Sequence, residues 1–114
     1  MTSLFITGTD TDVGKTCVTA GIVNLLSKLN VDVGVMKPFA SGYKANANSV
    51  SEDVEILMRY SGVSDPVNLI NPYYFEIPTS PYDASKQLNL EIDLSKVIDS
   101  YNKLSSIHDV VIVE

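Results

Sequence analysis

Apolar positions along this 114-residue chain fall into short runs and spaced stripes that predict alternating strands and helices. Residues 3–7 form a mostly apolar run rich in strand formers, closed by Gly8. Residues 15–29 then carry Val18, Ile22, Leu25, Leu26 and Leu29 at the spacing of an amphipathic helix. A second strand is expected over 32–38, with Val33, Val35 and Met36 as its apolar members and Pro38 as its stop. Strand, helix, strand in that order is a βαβ unit, which favours a parallel sheet with a right-handed crossover.

The pattern then turns polar. Residues 41–51 hold Gly42, Asn46, Asn48 and several serines, and read as loop. Ser51 is placed to cap a helix over 52–60, with Val54, Ile56, Leu57 and Met58 for burial and Gly62 as its end. Residues 65–81 contain four of the five prolines, so they are expected to be largely irregular, with an extended piece around Tyr73-Tyr74-Phe75. Ser80-Pro81 can open a short helix, and a longer one is expected over 94–104, with Leu94, Val97, Ile98, Tyr101 and Leu104 on one stripe. Residues 109–114 read as a short buried strand. A parallel strand needs a connection leading onward, so the expectation is a fragment of a longer chain, an intact 114-residue protein being the alternative.

Composition narrows the function classes. A net charge of −6 disfavours a general nucleic-acid binder, because the phosphate backbone rewards clustered Lys and Arg. With 45% hydrophobic residues and charges interspersed among them, the chain is not of the disordered class. No apolar stretch approaches the roughly 18 residues of a membrane-spanning helix, and no secretory signal is visible at the start. A single cysteine, Cys17, makes no internal disulfide, which fits a cytoplasmic protein.

The chemistry concentrates at Gly8-Thr9-Asp10-Thr11-Asp12-Val13-Gly14-Lys15-Thr16, between the first strand and the first helix. Such a turn aims successive backbone N–H groups and a helix N-terminus at one anion. Gly14 lets the backbone approach phosphates, Lys15 supplies charge for the β/γ-phosphates, and the Thr16 hydroxyl can ligate Mg²⁺. Five residues separate the two glycines where four are usual, so Thr9 holds the ordinary first-glycine place. The loop predicts the fold class: α/β, a P-loop NTPase-type parallel sheet flanked by helices, incomplete over these 114 residues. Residues 1–114 are then the N-terminal part of a single ATP-binding domain, the remainder lying after Glu114. Cys17 is expected to be a small buried residue of the first helical turn.

Four further pieces follow in order: Met36-Lys37-Pro38-Phe39-Ala40-Ser41-Gly42 after the second strand, Glu52-Asp53 opening the next helix, Asn71-Pro72-Tyr73 with Pro78-Thr79-Ser80-Pro81, and Glu114 ending the last strand. With the phosphate loop, this order resembles the dethiobiotin synthetase family over the whole chain. Tyr82 stands where many members carry His.

The resemblance implies closure of a cyclic urea on 7,8-diaminononanoate with CO₂ and ATP, through a carbamate and a carbamic–phosphoric anhydride. It implies Lys15 and Lys37 as catalytic cations. Asp12, Val13, Gly14, Lys15, Thr16, Cys17, Asp53 and Glu114 become nucleotide contacts, and Thr11, Lys37 and Ser41 contacts to the diamine or its carbamate. Thr16, Asp53 and Glu114 become Mg²⁺ ligands, oxygen donors of the kind that cation takes. A homodimer is implied at full length, with no nucleic-acid or membrane partner. Two other readings share the loop: an amidoligase of the cobyrinate diamide synthase type, and a partition-type ATPase switch. The switch typically carries a lysine where this chain has Asp10, which counts against it.

Overall fold

The computed structural model describes residues 2–8, 14–41, 51–75, 80–89 and 91–114. Residues 9–13, with Thr11, Asp12 and Val13, lie outside the described residues, as do the polar stretch 42–50 and the Pro78-Thr79 pair.

Three strands form a parallel sheet: β1 (Thr2–Phe5), β2 (Val33–Met36) and β5 (Val110–Val113). Their spatial order is β1-β5-β2, so the last strand in sequence lies between the first two. Leu4 and Val35 both register with Ile112 of the central strand. Burial on both faces explains why β5 reads as the unbroken apolar run Val-Val-Ile-Val.

The two faces collect different cores, as the two-residue period of a strand requires. Val33, Val35 and Ile112 pack with Val23 of α1 (Lys15–Lys28) and with Val54 and Leu57 of α2 (Glu52–Ser61). Met36 and Val111 pack with Leu104 of α5 (Leu94–Ile107) on the other side. Complete burial of one such aliphatic side chain is worth about 1.5–3 kcal/mol.

The helices match their expected places with different buried faces. Ser51 caps α2, its hydroxyl accepting from the Val54 N–H at 3.2 Å, and Ser80 caps the short α4 (Pro81–Gln87) through the Asp83 N–H. In α1 the expected stripe is only partly inward. Ile22 and Leu26 touch the core, whereas Val18, Leu25 and Leu29 are exposed and Thr19, Ala20 and Val23 are buried. Small residues on that face let α1 lie against α2. On α5, Val97, Tyr101 and Leu104 face the core while Leu94 and Ile98 are exposed.

Within 65–81 the extended piece expected around Tyr73-Tyr74-Phe75 is β4 (Tyr73–Phe75), whereas the short helix α3 (Val67–Ile70) was not expected from the prolines. β4 pairs in parallel with β3 (Phe39–Ser41), Phe39 opposite Tyr73. Their rings stack at 5.7 Å. The chain therefore leaves the main sheet after Met36 and starts a second pair at Phe39. Pro38, which lacks an N–H to donate, lies in the bend.

At the amino end of the sheet, His108 precedes β5 with its ring 8% exposed. Nδ1 lies 2.6 Å from Asp32 and Nε2 2.6 Å from Asp65. Gly34 makes room for this ring: a Cβ there would stand 2.5 Å from His108 Cδ2.

Candidate active site

The carboxyl end of the same sheet gathers the polar groups. Gly14 caps α1 with φ 92°, a left-handed conformation that glycine adopts without strain. It starts the helix so that Lys15 and Thr16 occupy the first turn, where the helix dipole favours an anion. Lys37 follows β2, Glu114 follows β5, and Asp53 lies in the first turn of α2. Central placement of β5 brings Glu114 beside both α1 and the end of β2.

Thr16 Oγ1 donates to Glu114 Oε1 at 2.7 Å. Lys37 Nζ donates to Asp53 Oδ2 at 2.7 Å and approaches Glu114 Oε1 at 3.5 Å. The Glu114 side chain is 2% exposed and that of Lys37 14%. Glu114 Oε2 is buried with no hydrogen-bond partner among the described residues. Leaving such an oxygen without a donor or cation is costly, so it calls for a positive ligand.

These groups line a cavity of about 280 Å³ together with Gly14, Lys15 and Cys17. Of the residues expected from sequence, Gly14, Lys15, Thr16, Cys17, Lys37, Asp53 and Glu114 come together here. Ser41 ends β3, exposed, and does not line the cavity. Thr11, Asp12 and Val13 lie outside the described residues. Cys17 is exposed rather than buried, because the inward face of α1 begins at Thr19 and Ala20.

The donor set suits Mg²⁺. A hydroxyl and two carboxylates are hard oxygen ligands, and Glu114 Oε2 is free to take a cation. Among the described residues no cluster of three or more His, Cys, Asp or Glu forms a metal cage. Lys15 and Lys37 add two cations to the same cavity. The arrangement can therefore neutralise crowded phosphate charge beside a bound metal.

Sequence reasoning found these residues but missed what holds Lys37. Asn71 donates from Nδ2 to the Lys37 carbonyl at 2.8 Å and to the Tyr73 carbonyl at 2.9 Å. The Asn-Pro pair was the available signal, and nothing local links it to Lys37.

The AAA domain family matches residues 2–114. ATP-dependent dethiobiotin synthetase BioD of Nitrosopumilus maritimus is 54% identical over the whole chain, which covers 50% of that relative. The protein of the same name from Clostridium novyi is 38% identical over 97% of the chain and 47% of the relative, and that of Bacillus subtilis subsp. natto 36% over 100% and 48%. The chain thus spans about half the length of the curated relatives it matches. With a phosphate-type helix start, a parallel sheet and helices on both faces, this chain belongs to the AAA domain family.

Proposed function

We propose that the complete protein carrying this chain is an ATP- and Mg²⁺-dependent dethiobiotin synthetase acting on 7,8-diaminononanoate and CO₂. The convergence of Lys37, Asp53, Glu114 and Thr16 beside Gly14-Lys15 carries the reading, supported by the names of the similar proteins.

One substrate amine adds to CO₂ and loses a proton, giving a carbamate. A carbamate oxygen then attacks the γ-phosphorus as the bond to the ADP oxygen breaks. The second amine attacks the carbamoyl carbon, phosphate leaves with the C–O electron pair, and the ring nitrogen loses its proton. Little of this needs covalent help from protein. It needs alignment and charge neutralisation.

Lys15 supplies a cation to the β/γ-phosphates from the first turn of α1. Lys37, lining the same cavity, steadies the charge shared by carbamate and γ-phosphate. Its ion pair with Asp53 keeps the ammonium extended into the cavity. Thr16, Asp53 and Glu114 are the residues that would hold Mg²⁺, which would neutralise phosphate oxygens. Thr11 and Ser41 are assigned to the diamine or its carbamate. The same reading makes the complete protein a cytoplasmic homodimer.

Incubating the complete protein with the diamine, bicarbonate, ATP and Mg²⁺ tests the proposal. Dethiobiotin should form in step with ADP and phosphate and cease when Mg²⁺ is chelated. ATP hydrolysis with no dethiobiotin would overturn it.

A further inference from the structure

Lys37 occupies an awkward place in the backbone. The Glu114 N–H bonds to the Met36 carbonyl at 2.9 Å, the last link between β5 and this strand. Lys37 lies one residue further on, past that link. Its carbonyl thus needs a donor from elsewhere, since a backbone polar group left unpaired is costly.

The α3–β4 junction supplies it. The Lys37 N–H donates to the Ile70 carbonyl at 2.8 Å, and the Tyr73 N–H donates to the Pro38 carbonyl at 3.1 Å. Between them stands Asn71, 8% exposed. Both acceptors of its side chain are carbonyls, Lys37 O and Tyr73 O, so its two N–H groups must face them. Asn71 itself is anchored, its backbone N–H donating to the Val67 carbonyl at 2.7 Å. Both polar groups of the Lys37 backbone are therefore clamped by consecutive residues, Ile70 and Asn71. Lys37 reaches Asp53 and Glu114 from this clamped backbone.

We infer that Asn71 is a positioning residue, whose carboxamide fixes the backbone from which Lys37 delivers its ammonium to the Asp53–Glu114 cavity. The inference rests on the proposed role of Lys37. Among the described residues the Asn71 side chain bonds only backbone, the Lys37 and Tyr73 carbonyls, and its effect on the cavity runs through Lys37. The geometry demands two donors at once: aspartate is nearly the same shape but, ionised, donates nothing.

The test uses the complete protein and a double-mutant cycle of Asn71→Asp with Lys37→Gln. Asn71→Asp should lower kcat for dethiobiotin formation roughly ten- to a hundredfold while changing ATP affinity less than about threefold, the pattern of a displaced transition-state contact. In the Lys37→Gln background the same change should cost nothing further. Additive losses would overturn the proposal, since a general structural role does not depend on the Lys37 amine.

If Asn71→Asp does not fold, Asn71→Ser, which retains one donor, goes through the same cycle with the same two outcomes. A second readout needs no turnover: the side-chain NMR signal of Lys37, identified by its loss in Lys37→Gln. It should move in the Asn71 variant while that of Lys28 stays. An unmoved Lys37 signal would overturn the proposal. Absence of dethiobiotin from the unaltered protein would instead sink the functional reading, and the NMR comparison would still decide the role of Asn71.

Discussion

The two ends of the central sheet carry the same motif, a cation between two carboxylates, and use it differently. At the carboxyl end Lys37 lies between Asp53 and Glu114; at the amino end His108 lies between Asp32 and Asp65. Each uses the ends of β2 and β5, with Asp53 from the first turn of α2 in one and Asp65 from the segment between α2 and α3 in the other. At the amino end both ring nitrogens have a carboxylate at 2.6 Å, so the cluster is closed. At the carboxyl end a buried oxygen of Glu114, a residue that lines a cavity, has no partner among the described residues. A closed cluster ties elements together, whereas an open one waits for a ligand. The same pairing of charge is structural in one place and available for chemistry in the other.

Four experiments on the complete protein would break or sharpen this contrast. If the proposed function holds, the largest effect is expected from Lys37→Gln, which should lower kcat by about a hundredfold or more, as loss of a transition-state donor does. It should weaken ATP binding less than Lys15→Gln does. Steady-state dethiobiotin formation with direct ATP titration checks both, and near-normal kcat would reduce Lys37 to a strand-end lysine.

Next in size is Glu114→Gln. Removing a buried charge with an unpartnered oxygen should leave thermal stability unchanged or raised, while activity at limiting Mg²⁺ falls by about tenfold. A lowered melting temperature with unchanged Mg²⁺ dependence would make this end as structural as the other.

Gly34→Ala attacks the closed cluster. The added methyl must push the His108 ring away, and overpacking of this kind costs about 1–3 kcal/mol. Denaturant unfolding should show that loss, with kcat below the melting range unaltered. An undiminished unfolding midpoint would mean that the ring moves aside freely.

The smallest effect is expected from pH. Burial of the His108 ring opposes its charged form, but the hydrogen bonds and charges of Asp32 and Asp65 outweigh it and raise its pKa above the ordinary histidine value. Among the described residues no other titratable side chain lines the cavity beside the ring, formed by the α1–β2 turn, the segment after α2 and the end of α5. A raised value means that the folded state holds the proton more tightly than the unfolded one. The stabilisation is thus complete below about pH 6.5, the unfolded histidine value, and fades as pH rises through the folded value. Unfolding midpoints measured across that range should fall in the unaltered protein and stay flatter in His108→Gln. Matching slopes would remove His108 from the account.

The local part of this molecule was legible from its residues. Ser51, Ser80 and Gly62 mark helix ends through hydrogen bonds and backbone conformations a few residues long. Gly14-Lys15-Thr16 places a cation and a hydroxyl at a helix start for the same reason. Those features depend on neighbours in sequence, so residue types and spacing determine them.

Other features depend on which distant segments meet. Lys37 reaches Asp53 across 16 positions and Glu114 across 77 only because β5 enters the sheet between β1 and β2. The buried face of α1 was misjudged because contact with α2 favours Thr19 and Ala20 over the bulkier Val18 and Leu25. His108 gives no pattern at all in sequence, and its two partners lie 76 and 43 positions away. Sequence alone determined the types of the longer elements and the start of α1, but not the short β3 and α3. Strand order, core faces, the clamp on Lys37 and the open or closed state of each charge cluster were decided by tertiary packing, because each needs groups brought together from segments whose local preferences carry no record of one another.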